Sequence, residues 1–401
     1  MKVVVIGGGA AGFFAALSVK EHHPKSTVSI FEKSQKVLAK VRISGGGRCN
    51  VTNGSDSIAH MTKSYPRGGK FLKSGFKQWM TVDTQQWFEE RGVPLYTQDD
   101  HRVFPKSNDS QSIIDCLMNE CEKNDIKLCL GHGVLDLERI NETWQITLKD
   151  KVIPCDKVII ATGGSPKLTG FDWLQKTNHQ IIAPVPSLFT FNIPNHSIIE
   201  LMGQVAPTAM VHIQGTKLKS GGPLLITHWG MSGPAVLKLS ALAARYLNEL
   251  GYKFKVQINW LGIKDNGKVY EILQEALEAN TVKPLEKVKP FEISKRLWEY
   301  FILKADLNPS KASGELGRKS INRLVSVLCN DEYQVEGKTT FKEEFVTSGG
   351  IELSEINPET MKSRLKSGLY FAGEIMNIDG ITGGYNFQAA WTTGYIAGKL
   401  K

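Results

Sequence analysis

The chain has 401 residues, 41% hydrophobic and 22% charged, which excludes a disordered or fibrous protein and leaves room for two or three domains. No stretch approaches the roughly 18 apolar residues that span a bilayer, and the opening MKVVVIGGGA leads into glycines instead of a cleavage site, so a cytoplasmic protein with no membrane partner is expected. The net charge of +9 points to an anionic partner without choosing among nucleotide, nucleic acid and membrane surface.

Lys2 to Gly7 (KVVVIG) is a β-branched run, the pattern of a buried parallel strand, and GGGAAG with FFAALSVKEHH then reads as a turn and a helix. Gly7, Gly9 and Gly12 form G-x-G-x-x-G between them. The first glycine allows a tight turn, the second lets a pyrophosphate approach the backbone, and the third lets helix pack on strand. The helix start offers unpaired N–H groups and a positive dipole end to phosphates. TVSIFEK is a second strand ending at Glu32, 20 residues after Gly12, where a carboxylate can accept from ribose hydroxyls. That favours FAD or NAD over NADP.

Ile43 to Asn53 reads ISGGGRCNVTN. Glycine costs backbone entropy in any regular element, so a triplet marks either a loose loop or a place where something lies against the backbone. Further on, SIIDCLMNECEKN reads as a helix. It places Cys116 and Cys121 at i and i+5, on different faces, so buried reduced thiols are expected instead of a disulfide. None of the six cysteines forms a CxxC pair, and no metal is expected.

The segment from Gly131 to Ile160 reads as a β-meander that brings Val134 near the adenine end of a dinucleotide. Its last strand, in CDKVIIATGG, runs into a small-residue turn at Thr162 and Gly163. After PVPSLFTFNIP the text turns strand-like in QVAPTAMVHIQG, GPLLITHWG and YKFKVQINW. SGPAVLKLSALAARYLNEL reads as a helix with Ser232 as N-cap and Pro234 in its first turn. Residues 262–330 read as mostly helical, and YQVEGKTTFKEEFVTSGGIEL as strand again. LYFAG is a strand, GEIMNIDGITGG a second glycine-rich loop, and YNFQAAWTTGYIAGKL a helix with small residues at close-packing positions. Glycine-rich loops before helices at both ends of the chain fit an extended FAD better than NAD. The expected fold is α/β, a Rossmann-like FAD-binding domain of glutathione-reductase type with an inserted β-barrel-like domain carrying a helical subdomain. The expected domains are 1–187 with 346–401, 188–261 with 331–345, and 262–330.

GGGAAG, ISGGGRCNVTN, THWGMSGP and GEIMNIDGITGGYNFQAAWTTGYIAG together resemble the bacterial FAD-dependent flavoproteins called the BaiN/YhiN, or aminoacetone-oxidase-like, family, over essentially the full length. The resemblance implies a non-covalently held FAD. It places Gly7, Gly9, Ala11 and Gly12 at the pyrophosphate, Glu32 and Lys33 at the adenosine ribose, and Gly45, Gly46, Gly47, Arg48, Cys49 and Asn50 along the pyrophosphate and flavin. It places Val134 at adenine, Thr162 and Gly163 along the dinucleotide, and Gly373, Glu374, Asp379, Gly380, Gly384, Tyr385, Asn386 and Gln388 around the ribityl chain and isoalloxazine. Family members have been associated with amine oxidation, reduction of bile-acid intermediates and reduction of uridine in ribosomal RNA. The implied activity is an FAD-dependent oxidoreductase acting on a small molecule, with ribosomal RNA as the alternative substrate.

Flavin chemistry needs groups that position substrate and move protons. Cys49 is the single cysteine in an expected cofactor loop, and Arg48 beside it would favour thiolate; the alternative is a small side chain packed against the flavin. His228 is a second candidate acid or base if the insertion closes over the flavin. Asp379 reads best as a holder of ribityl hydroxyls. There is no second GxGxxG for a resident NAD(P)H, which would then visit transiently as reductant. Between Asp56 and Asp83 there is no acidic residue, while Lys63, Arg67, Lys70, Lys73 and Lys77 alternate with Tyr65, Phe71, Phe76 and Trp79. That is either an RNA-binding face or a solvated basic face over core aromatics. Lys311, Arg318, Lys319 and Arg323 form a second basic cluster on an expected helix.

Overall fold

The computed structural model describes residues 1–339 and 346–401. The part of the expected strand from 340 to 345, and the expected boundary at 345, lie outside the described residues. The chain divides into two compact units, one of residues 1–187 with 346–401, the other from 188 to 339.

The first unit is built on a five-stranded parallel sheet in the order Leu369–Phe371, Lys157–Ile160, Lys2–Ile6, Thr27–Glu32 and Lys127–Leu130. Val3, Val4 and Val5 in its central strand are fully buried. That is why the strand reads as a continuous apolar run and not as alternation. The helix Ala10–His22 crosses from the first strand to the second. It packs along the C-terminal helix Tyr385–Gly398 through glycines: a Cβ on Gly394 would lie 2.6 Å from the Ala11 carbonyl oxygen, and one on Gly398 2.5 Å from that of Ala15. The small residues of the last helix are thus where two backbones meet. The expected meander is present as an antiparallel sheet of Asp136–Ile140, Thr143–Thr147 and Val152–Cys155. Strand Ile181–Ser187 pairs antiparallel with Val346–Ile351.

The second unit holds two antiparallel sheets. One orders Val205–Ala206, Leu224–Thr227, Gly230–Ser232, Thr190–Asn192 and Lys338–Thr339; the other orders Lys219–Gly221, Met210–Ile213, Lys253–Asn259 and Asp331–Glu336. Helices Asn266–Glu278, Lys295–Lys304 and Arg318–Cys329 share one apolar core with these strands, Val269, Leu273 and Trp298 packing in the same cluster as Phe254 and Val256. The expected helix after Ser232 differs in two respects. It is broken into Pro234–Leu242 and Ala244–Glu249, and its N-cap is Gly233, because Ser232 ends a strand. Gly233 takes the turn at φ +88°, with a would-be Cβ 2.8 Å from the Pro223 carbonyl oxygen, so only glycine fits there.

Candidate functional site

The three fingerprint glycines play distinct parts. Gly7 stands at φ +113°, and a Cβ on it would lie 2.4 Å from the Ala161 carbonyl oxygen. A Cβ on Gly12 would lie 1.9 Å from the carbonyl oxygen of Gly7, so the helix sits directly on the turn. Gly9 is different: its Cβ would meet nothing within 4 Å. Gly9 is also the N-cap of the helix, has no side-chain cap, and is followed by a first turn free of acidic residues. The open space therefore faces uncapped N–H groups at a positive helix end, the arrangement that receives a phosphate. Ala11 is buried just behind.

Glu32 ends its strand with both carboxylate oxygens already accepting, one from the Gly8 N–H at 2.8 Å and one from the Ser34 N–H at 2.9 Å. It ties the second strand to the glycine turn, while Lys33 is exposed. Val134 lies in the link from the parallel sheet to the meander, its N–H and C=O without partners among the described residues. Thr162 is exposed, and Gly163, at φ +75°, also faces open space.

In ISGGGRCNVTN, Gly45, Gly46 and Gly47 all stand in the left-handed region, at φ +60°, +70° and +85°. A Cβ on Gly46 or Gly47 would meet nothing within 4 Å, whereas one on Gly45 would press on Phe104 at 2.9 Å. The triplet is a shaped turn with an open face. Arg48 does not turn toward Cys49: its guanidinium lies over the Phe104 ring at 4.2 Å and its Nε donates to the Gly45 carbonyl at 3.2 Å. Cys49 is fully buried, and burial pushes its thiol up to about 12, against the smaller opposing effect of a hydrogen bond with Ser44. Of the two readings of Cys49 this favours the packed thiol over the thiolate, because desolvation outweighs a cation that points elsewhere.

The C-terminal loop closes on both of these. A Cβ on Gly373, at φ +74°, would lie 2.8 Å from the Ala11 side chain, so this loop runs against the start of the first helix. Glu374 accepts from the Thr347 N–H at 2.8 Å and pairs with Lys40 at 2.6 Å. Gly384, at φ +88°, sits so close to Thr52 that a Cβ would be 2.3 Å from its backbone. Around that contact runs a set of hydrogen bonds. The Asn53 amide donates to the Gly383 carbonyl at 3.1 Å, the Thr52 hydroxyl to Gln388 Oε1 at 2.6 Å, and the Trp391 indole to the Val51 carbonyl at 2.9 Å. With its amide oriented to satisfy both ends, Asn50 accepts from the Gly384 N–H at 2.9 Å and donates to the Thr52 carbonyl at 3.0 Å.

Besides Glu374 and Asn50, three more residues expected at the flavin are engaged within the protein. Gln388 is fully buried, holding Thr52 and, at 3.0 Å, Thr392. Asn386 clamps both the N–H and the C=O of Gly380. Asp379 is fully buried in a bidentate pair with Arg67 and also accepts from the Ser187 hydroxyl at 2.8 Å. Burial raises its pKa first, with Arg67 and Ser187 pulling it down. It locks a loop and is not a free acceptor for ribityl hydroxyls.

His228 lies in the second unit, exposed, with its ring 3.8 Å from that of Trp229. In the basic window, Lys63, Lys70, Lys73 and Lys77 are exposed, but Tyr65, Phe76 and Trp79 are buried and Phe71 is partly buried. The rings belong to the core, and Arg67 is taken by Asp379. One pair was not foreseen: the Tyr385 hydroxyl lies 3.1 Å from Nε2 of the exposed His60. No spacing rule links positions 60 and 385. Tyr385 itself is buried, which raises the pKa of its phenol.

A parallel sheet whose first turn opens an uncapped helix end to empty space, with two further glycine loops in the same unit, is the architecture of a dinucleotide-binding domain. The chain belongs to the HI0933-like protein Rossmann domain family, which matches residues 1–400 and is a family of FAD-dependent oxidoreductases. It is 29% identical over 404 residues to the ribosomal RNA dihydrouridine synthase of Haemophilus influenzae, covering 98% of this chain and 96% of that protein. It is 26% identical over 410 residues to the 3-dehydro-bile acid delta(4,6)-reductase of Clostridium scindens, covering 99% and 98%. Among solved structures it is similar to the open conformation of a flavocytochrome c3 fumarate reductase, with a TM-score of 0.51 and 17% identity over 100% of this chain and 77% of that one. It is also similar to the 3-ketosteroid delta1-dehydrogenase of Sterolibacterium denitrificans, with a TM-score of 0.51 and 11% identity over 99% and 98%. These last two likenesses concern the fold. The family implies a flavin cofactor, and the uncapped helix start at Gly9, with open space where a Cβ would stand, fits its pyrophosphate; Gly46, Gly47 and Gly163 each leave the same space open.

Proposed function

We propose that the chain is an FAD-dependent reductase of carbon–carbon double bonds conjugated to a carbonyl, using NAD(P)H as a transient reductant. The carrying observation is open space at the glycine loops: Gly9, Gly46, Gly47 and Gly163 are the site glycines with no atom where a Cβ would stand. Relatives of nearly equal length bear the names of a bile-acid reductase and a dihydrouridine synthase, and both names describe hydrogen added across such a bond. Gly7, Gly9, Ala11 and Gly12 would receive the pyrophosphate, and Val134 the adenine. Thr162 and Gly163 would line the dinucleotide. Gly46 and Gly47 would lie along the flavin side, with Gly384 and Tyr385 at its far end. The bound flavin supplies hydride chemistry. The protein supplies position and the proton. With Cys49 buried, the proton donor in this reading is Tyr385: burial keeps its hydroxyl protonated at neutral pH, and His60 links it to solvent.

The test is anaerobic. The purified protein is reduced with NADH and with NADPH, then offered a conjugated enone, uridine-rich RNA, a primary amine and oxygen in turn. Reoxidation by the enone or the RNA with stoichiometric saturated product supports the reading. Reoxidation by oxygen alone, with peroxide formed, would make the protein an oxidase. Tyr385→Phe should keep its flavin and its reduction by NAD(P)H, but slow reoxidation by the unsaturated acceptor about 100-fold or more.

A second reading takes ribosomal RNA as the acceptor, with uridine reduced to dihydrouridine. Its support is the set Lys63, Lys70, Lys73 and Lys77, exposed and without ion-pair partners among the described residues. Such charges can neutralise phosphates. The buried rings beside them would not stack on bases.

A further inference from the structure

We infer that the second unit carries its own docking surface for unpaired RNA, made of the exposed face of helix Arg318–Cys329 and a groove of mixed polar and apolar lining at that helix's C-terminal end. The inference rests on the RNA reading above and adds a surface to it. The helix buries Ile321, Leu324, Val325 and Leu328 and exposes Arg318, Lys319, Asn322, Arg323 and Ser326. No acidic residue occurs from 316 to 330, so the helix offers these cations no carboxylate of its own. Arg318 and Lys319 have no ion-pair partner among the described residues. Arg323 has Asp306 at 3.0 Å, on a side chain 94% exposed, a pairing worth little in water.

The groove continues from this face. Asn330, the next residue, accepts from the Gln257 amide at 3.4 Å. Gln257 stands in a cross-strand row with His212 and Lys219, and Asn259 pairs with Met210 in the row beside it. These five residues and Cys329 line a cavity of about 210 Å³. At roughly 30 Å³ per water it holds about seven waters, room for one planar base. The row across these strands offers the edge of a base one donor and two acceptors. His212 Nε2 donates to the Thr216 carbonyl at 2.7 Å, leaving Nδ1 as the ring nitrogen open to a ligand. Gln257 keeps its Oε1 as an acceptor, and Lys219 brings a donor. Cations along one helix face, beside a slot for one ring, suit unstacked RNA; an acidic protein would use the cations and leave the slot empty.

The experiment measures binding of a fluorescein-labelled uridine-rich single-stranded 20-mer to the full-length, flavin-loaded protein by anisotropy, over a range of salt. Arg318→Glu with Lys319→Glu should weaken binding at least tenfold and lower the slope of log affinity against log salt by about 1.4, roughly 0.7 per lost phosphate contact. Lys283→Glu with Lys287→Glu, of equal charge change outside the helix and groove, should bind as the parent. A parent protein that binds no RNA would end the RNA reading itself. Parent binding with an unchanged Arg318/Lys319 variant would overturn this inference alone and leave docking to the lysines at 63–77. Equally tight binding of polyglutamate would replace RNA by an acidic partner and also overturn it.

Discussion

Gly9 and Gly12 are three residues apart in one motif, yet the structure gives their alanine variants opposite outcomes. At Gly12 a Cβ would lie 1.9 Å from the Gly7 carbonyl oxygen, when real Cβ atoms keep at least 3.0 Å. Helix or turn must move by about 1.1 Å, and both are packed against the central sheet, so Gly12→Ala should cost about 1–3 kcal/mol or more. At Gly9 the backbone is extended, φ −96° and ψ −174°, which alanine adopts without strain, and nothing lies within 4 Å. Gly9→Ala should therefore leave the flavin-free protein within about 0.5 kcal/mol of the parent. The methyl group would instead occupy the open space where the proposed function seats the pyrophosphate, so FAD affinity should fall by tenfold or more. Urea unfolding of both flavin-free variants gives the stability, and titration with FAD, followed by quenching of its fluorescence, gives the affinity. A Gly9→Ala protein that binds FAD like the parent would refute the reasoning. A Gly12→Ala protein as stable as the parent would refute the packing half of it.

Three other outcomes follow from the same structure. Cys49→Ala should lose about 1–2 kcal/mol of stability by emptying a buried position, while flavin content, turnover and its pH profile stay unchanged; a lost basic or acidic limb in that profile would restore Cys49 as a proton donor. Lys70→Glu with Lys73→Glu should weaken RNA binding and flatten its salt dependence without changing NAD(P)H oxidation, and unchanged binding counts against RNA docking on that face. His179 is buried between Thr177 and Ser363, and burial lowers its pKa from 6.5 to about 4. The unfolded chain takes up that proton first as pH falls, so stability should be lost progressively from about pH 6.5 to about pH 4 and be flat above. Urea midpoints across that range should slope for the parent and slope less for His179→Gln.

Local features of the site were legible in the sequence; through-space ones were not. The strand, glycine turn and helix of residues 2–22 lie in one continuous stretch, and each glycine's task follows from local geometry. The open faces of Gly46 and Gly47 were likewise announced by a triplet that no regular element tolerates. Gln388 and Asn386 misled because polar residues beside a cofactor motif look free, whereas Gln388 is held by Thr52, 336 positions away. Arg48 misled because neighbours in sequence need not be neighbours in space: at Cys49 the backbone is left-handed, at φ +61°, and Arg48 turns to Phe104. Tyr65, Phe76 and Trp79 alternate with lysines in the text, but the fold turns the rings into the core and leaves the ammonium groups outside. The Tyr385–His60 pair carries no local signal, and only the folded loop brings it together.

The central claim is that the open faces of Gly9, Gly46, Gly47 and Gly163 hold one FAD. The direct measurement is native mass spectrometry of the purified protein, with the flavin then released by heat and identified by its mass. One FAD per chain, lost on denaturation and reduced to substoichiometric occupancy by Gly9→Ala, is the predicted result. A protein without flavin, with FMN in its place, or with full FAD occupancy in the Gly9→Ala variant would contradict it.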